Sequence, residues 1–407
     1  MPNGEVPTLG KSWTMRTSKA EFTMKNQRHP LNGERSLCVL GGGQLGAMLC
    51  EAAKRMGYFA ICISSDEADP ASRWADLHIK GDPSDPHLVR SVAENAAAIT
   101  VEAESIAPAA LGHDHFRGII SPGVEAQRIV QDRRLEKTFL AEHGLAVGPF
   151  RLAETLEDLT TAAEEMLRTS PKIVAKTARG GYDGRGQVWI DSPEKAASAW
   201  QALGQVPLVA ETAVDFTAEI SVIVARNHRG EKCVFPVLQN EHRRGILFQT
   251  QIPAPQPLEV IRSAQELAIE TADALAIVGL LTVEMFVLPD GRVWINELAA
   301  RPHNSGHVTM RATSRSQFEM HVCALMDLPL SPVGLITPGV MTNLLGDLWA
   351  DGDPDFQSVL THSMASIHLY GKSPRPGRKM GHMIHVAATL GEAKAAADRA
   401  YMALGGK

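Results

Sequence analysis

The stretch KTARGGYDGRGQVW, residues 176–189, places Gly180, Gly181, Gly184 and Gly186 within a few residues of Lys176. Glycine accepts positive φ angles without steric cost, so such a segment can wrap successive backbone N–H groups around an anion. The preceding KIVAKTA and the following GQVWI read as strands, which places the glycines in a loop between them. Two interpretations stay open from this loop alone, a phosphate-binding loop or a flexible hairpin tip, and the spacing favours the phosphate.

The composition is that of a globular enzyme. The chain has 407 residues, 44% hydrophobic and 21% charged, with a formal net charge of −6, which argues against nucleic-acid binding as its main function. The five cysteines are scattered without a C-x-x-C pair, which favours a reducing, cytoplasmic compartment over a disulfide framework or a zinc site. The longest apolar run, from Ala276, is interrupted by Glu284, so no membrane partner is expected.

The order of strands, helices and turns divides the chain into four predicted segments. Residues 1–34 are polar, lack the apolar region of a signal peptide and are predicted to be a disordered extension. Residues 35–130 alternate short apolar strands with helices, which predicts a parallel α/β unit. Residues 131–330 contain the glycine loop and longer strands, including a half-buried antiparallel strand in TAEISVIVARN, and residues 331–407 suggest a small β-rich domain.

GGGQLG, residues 41–46, follows a predicted strand and precedes a helix, and Asp66 lies 20 residues beyond its last glycine. This is the pattern of a dinucleotide-binding turn with its ribose-binding acid. A dinucleotide-dependent oxidoreductase is therefore one hypothesis. The same turn also holds other phosphates or packs a helix closely on a sheet, and Asp66 then becomes an ordinary turn residue.

The segments TVEMF (282–286) and WINEL (294–298) predict a hairpin closed by a two-residue turn at Asp290 and Gly291. Counting outward from that turn, Glu284 faces Glu297, with the two Cβ atoms about 5 Å apart. Apolar neighbours predict burial, and a buried pair of carboxylates needs a proton or a cation between them. Magnesium, with Asn296 as a further oxygen ligand, fits this chemistry; the alternative is a hairpin with two exposed acids.

Other polar residues complete a predicted nucleotide site. Lys176 precedes the glycine loop and would neutralise phosphate charge, and Arg133 lies upstream of it. Glu211 and the backbone of residues 211–214 would meet the adenine edge, and Glu219 would accept hydrogen bonds from the ribose hydroxyls. Taken singly, each residue favours a simpler interpretation, with Lys176 as a surface lysine and Glu219 on the solvated face of a strand.

The glycine loop, the predicted nucleotide-site residues and the hairpin of Glu284 and Glu297 follow along the chain in an order that resembles the ATP-grasp ligases. More narrowly, the chain resembles the 5-(carboxyamino)imidazole ribonucleotide synthetases of purine biosynthesis. The resemblance rests on VLGGGQLGAML, KTARGGYDGRGQ, NEHRRGIL, INELAARPHNSGH, SQFEMHVCAL and RPGRKMGH, all within residues 37–386. It implies an α/β fold with a Rossmann-like N-terminal domain, a central ATP-grasp domain and a small β-rich C-terminal domain. It also implies ATP-dependent carboxylation of 5-aminoimidazole ribonucleotide by bicarbonate, through carboxyphosphate, in a homodimer.

The resemblance assigns roles to residues of this chain. ATP is assigned to Arg133, Lys176, Gly181, Tyr182, Asp183, Gly184, Arg185, Gly186, Gln187, Glu211, Thr212, Ala213, Val214, Glu219, His242, Asn296 and Glu297. Magnesium is assigned to Glu284 and Glu297. The ribonucleotide is assigned to Gln44, Glu102, Glu104, Lys372, Arg375, Arg378 and Lys379. Bicarbonate or carboxyphosphate is assigned to Arg301, His303 and Asn304.

The chain also departs from the family pattern. Ala103 and Ser105 stand where an aromatic residue and an asparagine are usual, Ala47 replaces a common arginine, and MRATSR at 310–315 is atypical. These departures affect the contacts to the aminoimidazole more than the ATP site. Besides the carboxylating ligase and the oxidoreductase, two hypotheses remain: another ATP-grasp ligase of nucleotide synthesis, and a non-catalytic nucleotide-binding regulator.

Overall fold

The computed structural model describes residues 36–112, 118–181 and 184–406. The predicted extension at residues 1–34 lies outside the described residues, as do Tyr182 and Asp183 of the glycine loop. None of the described helices is long and apolar enough to cross a membrane.

The N-terminal unit is a parallel sheet with helices packed on it, as the alternation of strands and helices predicts. Its strands are β1 (Ser36–Leu40), β2 (Phe59–Ser64), β3 (Leu77–Lys80), β4 (Ala98–Val101) and β5 (Ile120–Ser121), in the spatial order β3-β2-β1-β4-β5. Its helices are α1 (Gln44–Arg55), α2 (Pro86–Ala93), α3 (Pro108–Leu111) and α4 (Val124–Val130). Every residue of β1 is buried, as expected for a central parallel strand covered on both faces.

A small antiparallel sheet follows and carries the glycine loop. Its elements are α5 (Arg133–Glu142), β6 (Phe150–Ala153), α6 (Leu156–Met166), β7 (Ile173–Thr177), β8 (Gln187–Ile190), α7 (Ala196–Ala202) and β9 (Leu208–Thr212). The strand order is β6-β9-β7-β8. Because β7 and β8 pair with Lys176 opposite Gln187, the predicted strand–glycine loop–strand arrangement is confirmed.

A larger antiparallel sheet forms the rest of the described fold. Its strands are β10 (Ala218–Arg226), β11 (Lys232–Val234), β12 (Leu238–Arg243), β13 (Ile246–Ile252), β14 (Gly279–Val287), β15 (Val293–Ala299), β16 (Gly339–Leu345), β17 (Ala365–Leu369) and β18 (Lys379–Val386). They lie in the order β15-β14-β10-β12-β13-β16-β18-β17, and β11 pairs with β10. The helices are α8 (Leu258–Ala274), α9 (Thr309–Ala312), α10 (Gln317–Leu325), α11 (Gln357–Leu360) and α12 (Leu390–Ala403).

Two features of this sheet differ from the sequence expectation. Strand β10 is buried along most of its length rather than half-buried, because α8 and α10 both pack against it. The strands predicted after residue 330 are present, but β16, β17 and β18 continue the large sheet instead of forming a sheet of their own. The sheet therefore runs across the predicted boundary at residue 330, and the four segment limits stay a prediction.

A buried histidine connects the parallel sheet to the large one. The Leu280 N–H donates to His321 Nδ1 at 3.1 Å, so the ring proton lies on Nε2, which is 2.9 Å from Thr100 Oγ1. Thr100 lies in β4 and Leu280 in β14. Burial lowers the pKa of His321 to about 3, which keeps the imidazole neutral. This contact fixes the N-terminal unit against the sheet that carries the acidic hairpin, which is formed by β14 and β15 and contains Glu284 and Glu297.

Candidate active site

A cleft of about 970 Å³ brings the predicted site residues together. Of the site residues that the structure describes, all but Lys372, Arg375 and Arg378 line this cleft. The cleft therefore joins residues from the N-terminal unit, the small sheet and the large sheet. The roles assigned to these residues remain predictions, but their meeting in one place is a property of the fold.

The glycine loop forms one wall of the cleft and needs its glycines for two reasons. Gly180, Gly184 and Gly186 adopt positive φ angles of 77°, 75° and 69°, which other residues rarely adopt. A Cβ at Gly184 would also lie 3.1 Å from the Gly245 Cα. The start of the loop is fixed by Arg133, whose guanidinium donates to the carbonyls of Thr177 at 3.2 Å and Gly181 at 2.7 Å.

Three charged side chains lie side by side behind the loop. The Glu211 carboxylate is 3.0 Å from Lys176 Nζ and 3.1 Å from Lys137 Nζ. Burial alone would raise the pKa of Glu211, but the two lysines outweigh burial and lower it to about 2. Lys176 also donates to Asn296 Oδ1 at 3.4 Å. Glu211 is therefore ionised at neutral pH, and Lys176 connects the small sheet to the acidic hairpin formed by β14 and β15.

The acidic hairpin places Glu284 opposite Glu297, as predicted, but by a different route. The two-residue turn was wrong: Leu288 N donates to Arg292 O and Gly291 N to Leu288 O, so residues 289–291 form a three-residue loop. A bulge then shifts the register back, since Met285 pairs with Ile295 and Asn296 is the extra residue. Loop and bulge shift the pairing by one residue in opposite directions, and the two glutamates end up opposite each other.

The bulge also gives Asn296 access to the cleft. In a regular strand, neighbouring side chains point to opposite faces, whereas a bulge lets two successive residues oppose one partner. Asn296 and Glu297 accordingly both line the cleft together with Glu284. Two carboxylates and an amide oxygen on one side of the hairpin are a donor set that suits a hard cation with nucleotide phosphates. Among the described residues, no group of three or more His, Cys, Asp or Glu side chains forms a metal site.

His303 holds Glu284 in place. His303 Nδ1 lies 3.3 Å from Ser305 N, and His303 Nε2 lies 2.9 Å from Glu284 Oε1. Burial alone would raise the pKa of Glu284, but His303 outweighs burial, and the pKa falls to about 2. The Ser305 hydroxyl lies 2.9 Å from Ser221 Oγ on β10. Glu284 is therefore ionised. Its orientation is fixed by a series of contacts that runs from Ser221 of β10 through Ser305 to His303.

On the same sheet as Glu284, Glu219 of β10 and His242 of β12 lie in direct contact. Burial disfavours the charged imidazole, but the Glu219 carboxylate outweighs burial and raises the pKa of His242. The aromatic rings of Phe216 and Phe286 stack beside them, with ring centroids 4.6 Å apart, and both residues line the cleft. This part of the cleft offers a flat apolar surface next to an ionic pair.

The GGGQLG turn holds a carboxylate of the protein itself. Glu102 accepts hydrogen bonds from Gly43 N at 2.5 Å and Gly46 N at 2.7 Å. A Cβ at Gly41 or Gly43 would lie 2.5 Å from this side chain. Glu102 thus occupies the place where a dinucleotide pyrophosphate would bind. Asp66 accepts from Ala68 N at 2.9 Å within its own turn, so the structure does not support the oxidoreductase hypothesis.

Glu104 and Arg301 connect the N-terminal unit to the acidic hairpin. Glu104 Oε1 lies 2.6 Å from the Arg301 guanidinium, and both residues line the cleft. Although burial disfavours the charged guanidinium, Glu104 outweighs burial and raises the pKa of Arg301 further. A permanent positive charge therefore lies between the acidic hairpin and the N-terminal unit.

The basic segment at residues 372–379 is only partly at the cleft. Lys379 lines it, whereas Lys372 reaches its edge by contacting Gln44 Oε1. Burial lowers the pKa of Lys372 to about 8. Arg378 donates to the Ser373 carbonyl at 3.0 Å, and Arg375 is exposed. Arg378 and Lys379 lie close enough to Lys372 to lower its pKa further, but of the four basic residues only Lys379 lines the cleft.

Two residues at the cleft were missed as site residues, Glu136 and Lys137 of α5. Glu136 Oε2 accepts from Leu298 N at 2.9 Å, and Lys137 Nζ donates to the Asn296 carbonyl at 2.7 Å. Both side chains are only 2% exposed. The available signal was their position one helical turn after Asp132 and Arg133, which places them on the same side of the helix.

Three family models match the chain. A ribonucleotide synthetase preATP-grasp domain matches residues 35–131, an ATP-grasp domain matches residues 138–318, and a phosphoribosylaminoimidazole carboxylase C-terminal domain matches residues 339–396. The N5-carboxyaminoimidazole ribonucleotide synthase of Bacillus subtilis (strain 168) is 38% identical over 348 residues, which are 85% of this chain and 90% of the relative. The chain belongs to the N5-carboxyaminoimidazole ribonucleotide synthases.

Solved structures of this family have the same fold. An ADP complex of an N5-carboxyaminoimidazole ribonucleotide synthetase superposes with a TM-score of 0.84 at 35% identity, over 93% of this chain and 98% of the other. The Aspergillus clavatus enzyme in complex with ADP and 5-aminoimidazole ribonucleotide superposes with a TM-score of 0.81 at 30% identity, over 91% and 98%. The predicted fold class and family are thereby confirmed, and the chain is an ATP-dependent, ADP-forming ligase of purine biosynthesis.

Proposed function

We propose that this synthase couples ATP cleavage to the carboxylation of 5-aminoimidazole ribonucleotide by bicarbonate, with both reactions in the cleft described above. The observation that supports this most directly is the convergence of the glycine loop, the acidic hairpin and Arg301 on that one cleft. These are the parts that phosphoryl transfer needs, since its catalysis consists mainly of positioning and charge neutralisation. The family relatives bound to ADP and the ribonucleotide support the same substrates.

In the proposed reaction, a bicarbonate oxygen attacks the γ-phosphorus of ATP, and ADP leaves with the electrons of the broken P–O bond. The product is carboxyphosphate. The exocyclic amine of the ribonucleotide then attacks the carboxyl carbon, directly or after release of carbon dioxide, while phosphate leaves and the amine loses a proton. Lys176 and the loop N–H groups neutralise the ATP phosphates, and Arg301 and His303 lie where carboxyphosphate would be held.

The donor set of the acidic hairpin fits Mg²⁺. Glu284 and Glu297 would hold the ion, with Asn296 as a third oxygen donor and nucleotide phosphates completing its shell. When bound, Mg²⁺ would neutralise the charge that develops on the phosphate oxygens. The chain's own contribution is to orient both carboxylates, which His303 does for Glu284 at 2.9 Å and Arg133 does for Glu297 at 3.6 Å.

The ribonucleotide would bind at the border between the N-terminal unit and the large sheet. Glu102 and Glu104 would border the aminoimidazole, while Lys379 and Lys372, the latter fixed by Gln44, would meet its phosphate. Asn304 lies deeper, with its amide donating to Asn343 Oδ1 at 3.1 Å. We further propose that the enzyme acts in the cytoplasm and that it is a homodimer. Light scattering of the purified chain tests the homodimer.

The test is ADP formation from Mg-ATP by the purified enzyme, with and without fresh 5-aminoimidazole ribonucleotide, in bicarbonate-replete and bicarbonate-depleted buffer. The proposal expects ADP only when both substrates are present. Glu284→Gln should abolish turnover, because it removes one anionic ligand, while Asp290→Asn at the exposed tip of the same hairpin should retain it. ADP formation that is indifferent to bicarbonate would contradict the proposed reaction.

A further inference from the structure

Strand β15 lies at the end of the large sheet and carries two of the proposed magnesium ligands. The outer backbone groups of an edge strand have no neighbouring strand and need other partners when they are buried. The Ile295 N–H donates to the Ala146 carbonyl at 2.8 Å, whereas the partners of Asn296 and Leu298 are side chains of helix α5. Glu136 Oε2 accepts from Leu298 N at 2.9 Å, and Lys137 Nζ donates to the Asn296 carbonyl at 2.7 Å.

One of these contacts is made to the bulge residue itself, and the other is made two residues after it. Asn296 is the extra residue of the bulge, and Leu298 is the first residue after the Glu284–Glu297 pair. Without the bulge, the three-residue loop would set Glu284 opposite Asn296, and Glu297 would point to the other face of the sheet. The position of the second glutamate therefore depends on the bulge, and the bulge is held by a consecutive pair of residues on one helix.

The contacts are made where water does not compete with them. Glu136 and Lys137 are each 2% exposed, and Leu298 is 4% exposed. A buried N–H that loses its acceptor has no alternative partner, so it is costly to leave unpaired. Glu136 itself lines the cleft next to Asn296 and Glu297. Burial raises the pKa of Glu136 to about 8. Its carboxyl group is thus close to the site, while its hydrogen bond goes to the backbone that carries the ligands.

Helix α5 also fixes the other side of the nucleotide site. Asp132, its N-cap residue, lies 3.0 Å from Arg179 at the start of the glycine loop. Arg133 N donates to the Ala178 carbonyl at 2.9 Å. One turn of α5 thus holds the glycine loop, and the next turn holds the bulge. The distance between the phosphate loop and the acidic hairpin is set by one short rigid element.

We propose that Glu136, together with Lys137, is a positioning residue for the magnesium-binding hairpin, which keeps the bulge at Asn296 so that Glu297 faces Glu284. This inference rests on the proposed function, because it assumes that the two glutamates hold Mg²⁺. It assigns to α5 a role in the Mg²⁺ dependence of nucleotide binding. A purely structural role would lower stability and leave that dependence unchanged.

The test compares Glu136→Leu, which has similar size and no acceptor, with Glu136→Gln, which retains an acceptor for Leu298 N. The measurement is ADP affinity by titration calorimetry, with saturating Mg²⁺ and with a chelator in its place. Glu136→Leu is expected to weaken the apparent affinity for Mg²⁺ in the presence of ADP by about tenfold or more, the range seen when an outer-shell partner of a metal ligand is lost. Glu136→Gln is expected to restore most of that affinity.

Glu142→Leu is the matched control, since it makes the same substitution at an exposed position of the same helix.

If Glu136→Leu does not fold, Lys137→Met is the variant that tests the inference. Loss of its contact to Glu211 would weaken ADP binding with or without Mg²⁺, whereas loss of its contact to Asn296 would weaken the Mg²⁺-dependent part. A folded Glu136→Leu enzyme with unchanged Mg²⁺ affinity would overturn the inference. A wild-type enzyme whose ADP binding ignores Mg²⁺ would overturn the proposed magnesium site itself.

Discussion

Replacing Glu211 with glutamine tests the charge arrangement behind the nucleotide cleft. The Glu211 carboxylate lies 3.0 Å from Lys176 and 3.1 Å from Lys137, and the three side chains are only 12%, 17% and 2% exposed. The two lysines outweigh burial and keep the pKa of Glu211 at about 2, against an ordinary value of 4.5. Since one pKa unit corresponds to about 1.4 kcal/mol, ionised Glu211 contributes about 3 kcal/mol to the free energy of unfolding at neutral pH.

Glu211→Gln is therefore expected to lower the free energy of unfolding by about 3 kcal/mol at pH 7, and the two lysines it leaves behind act in the same direction. The pH dependence has a definite sign. Because the folded-state pKa is depressed, the contribution is complete above pH 4.5 and is lost as the pH falls toward 2. The difference between wild type and variant should accordingly shrink across that interval.

Urea unfolding at a series of pH values, followed by tryptophan fluorescence, measures this difference. Glu164→Gln is the control, since Glu164 is an exposed carboxylate on α6. A loss below about 1 kcal/mol at pH 7, the range of an exposed ion pair, would refute the reasoning. So would a wild-type-to-variant difference that stays constant from pH 7 down to pH 3.

Two further substitutions test other contacts. His321→Leu removes partners of the Leu280 N–H and the Thr100 hydroxyl and should lower the free energy of unfolding by about 1–3 kcal/mol. Wild type should lose stability as the pH falls from 6.5 toward 3, because the pKa of His321 is depressed to about 3, and His321→Leu should lack that component in urea unfolding. Lys372→Met should raise KM for the ribonucleotide about tenfold and leave ADP affinity unchanged. With a pKa of about 8 for Lys372, the wild-type KM should rise above that pH, and a KM unaffected by the substitution would exclude Lys372 from phosphate binding.

Local sequence patterns found the glycine loop, Lys176 and the facing glutamates, whereas the family resemblance supplied most of the other cleft residues, among them His242, Arg301 and His303. The glycine loop was found because its residues must adopt positive φ angles, and Lys176 because it precedes that loop on a strand. The facing of Glu284 and Glu297 was also predicted correctly, although the turn was not. The sequence pattern Asp-Gly favours a two-residue turn, and nothing local distinguishes it from the three-residue loop that residues 289–291 form. The bulge at Asn296 compensates for that difference.

Features that depend on tertiary packing were predicted less well. The alternating pattern of β10 indicates a half-buried strand, but helices cover both of its faces, which only the assembled fold determines. Glu136 and Lys137 read as ordinary helix residues, because their partners are backbone groups about 160 residues away in sequence. The basic residues near the C-terminus form one group in sequence, but only Lys379 lines the cleft.

The GGGQLG turn shows why a motif needs its surroundings before it indicates a function. The turn presents free N–H groups at the start of α1, and these groups need an acceptor and favour one with negative charge. In this chain the acceptor is Glu102, on the loop after β4, at 2.5 Å and 2.7 Å. The same glycines that would admit a pyrophosphate here admit a carboxylate of the protein. Because that carboxylate lines the cleft next to Glu104 and Gln44, the turn helps to build the wall facing the acidic hairpin. The proposed nucleotide site is therefore the glycine loop of the small sheet rather than this turn.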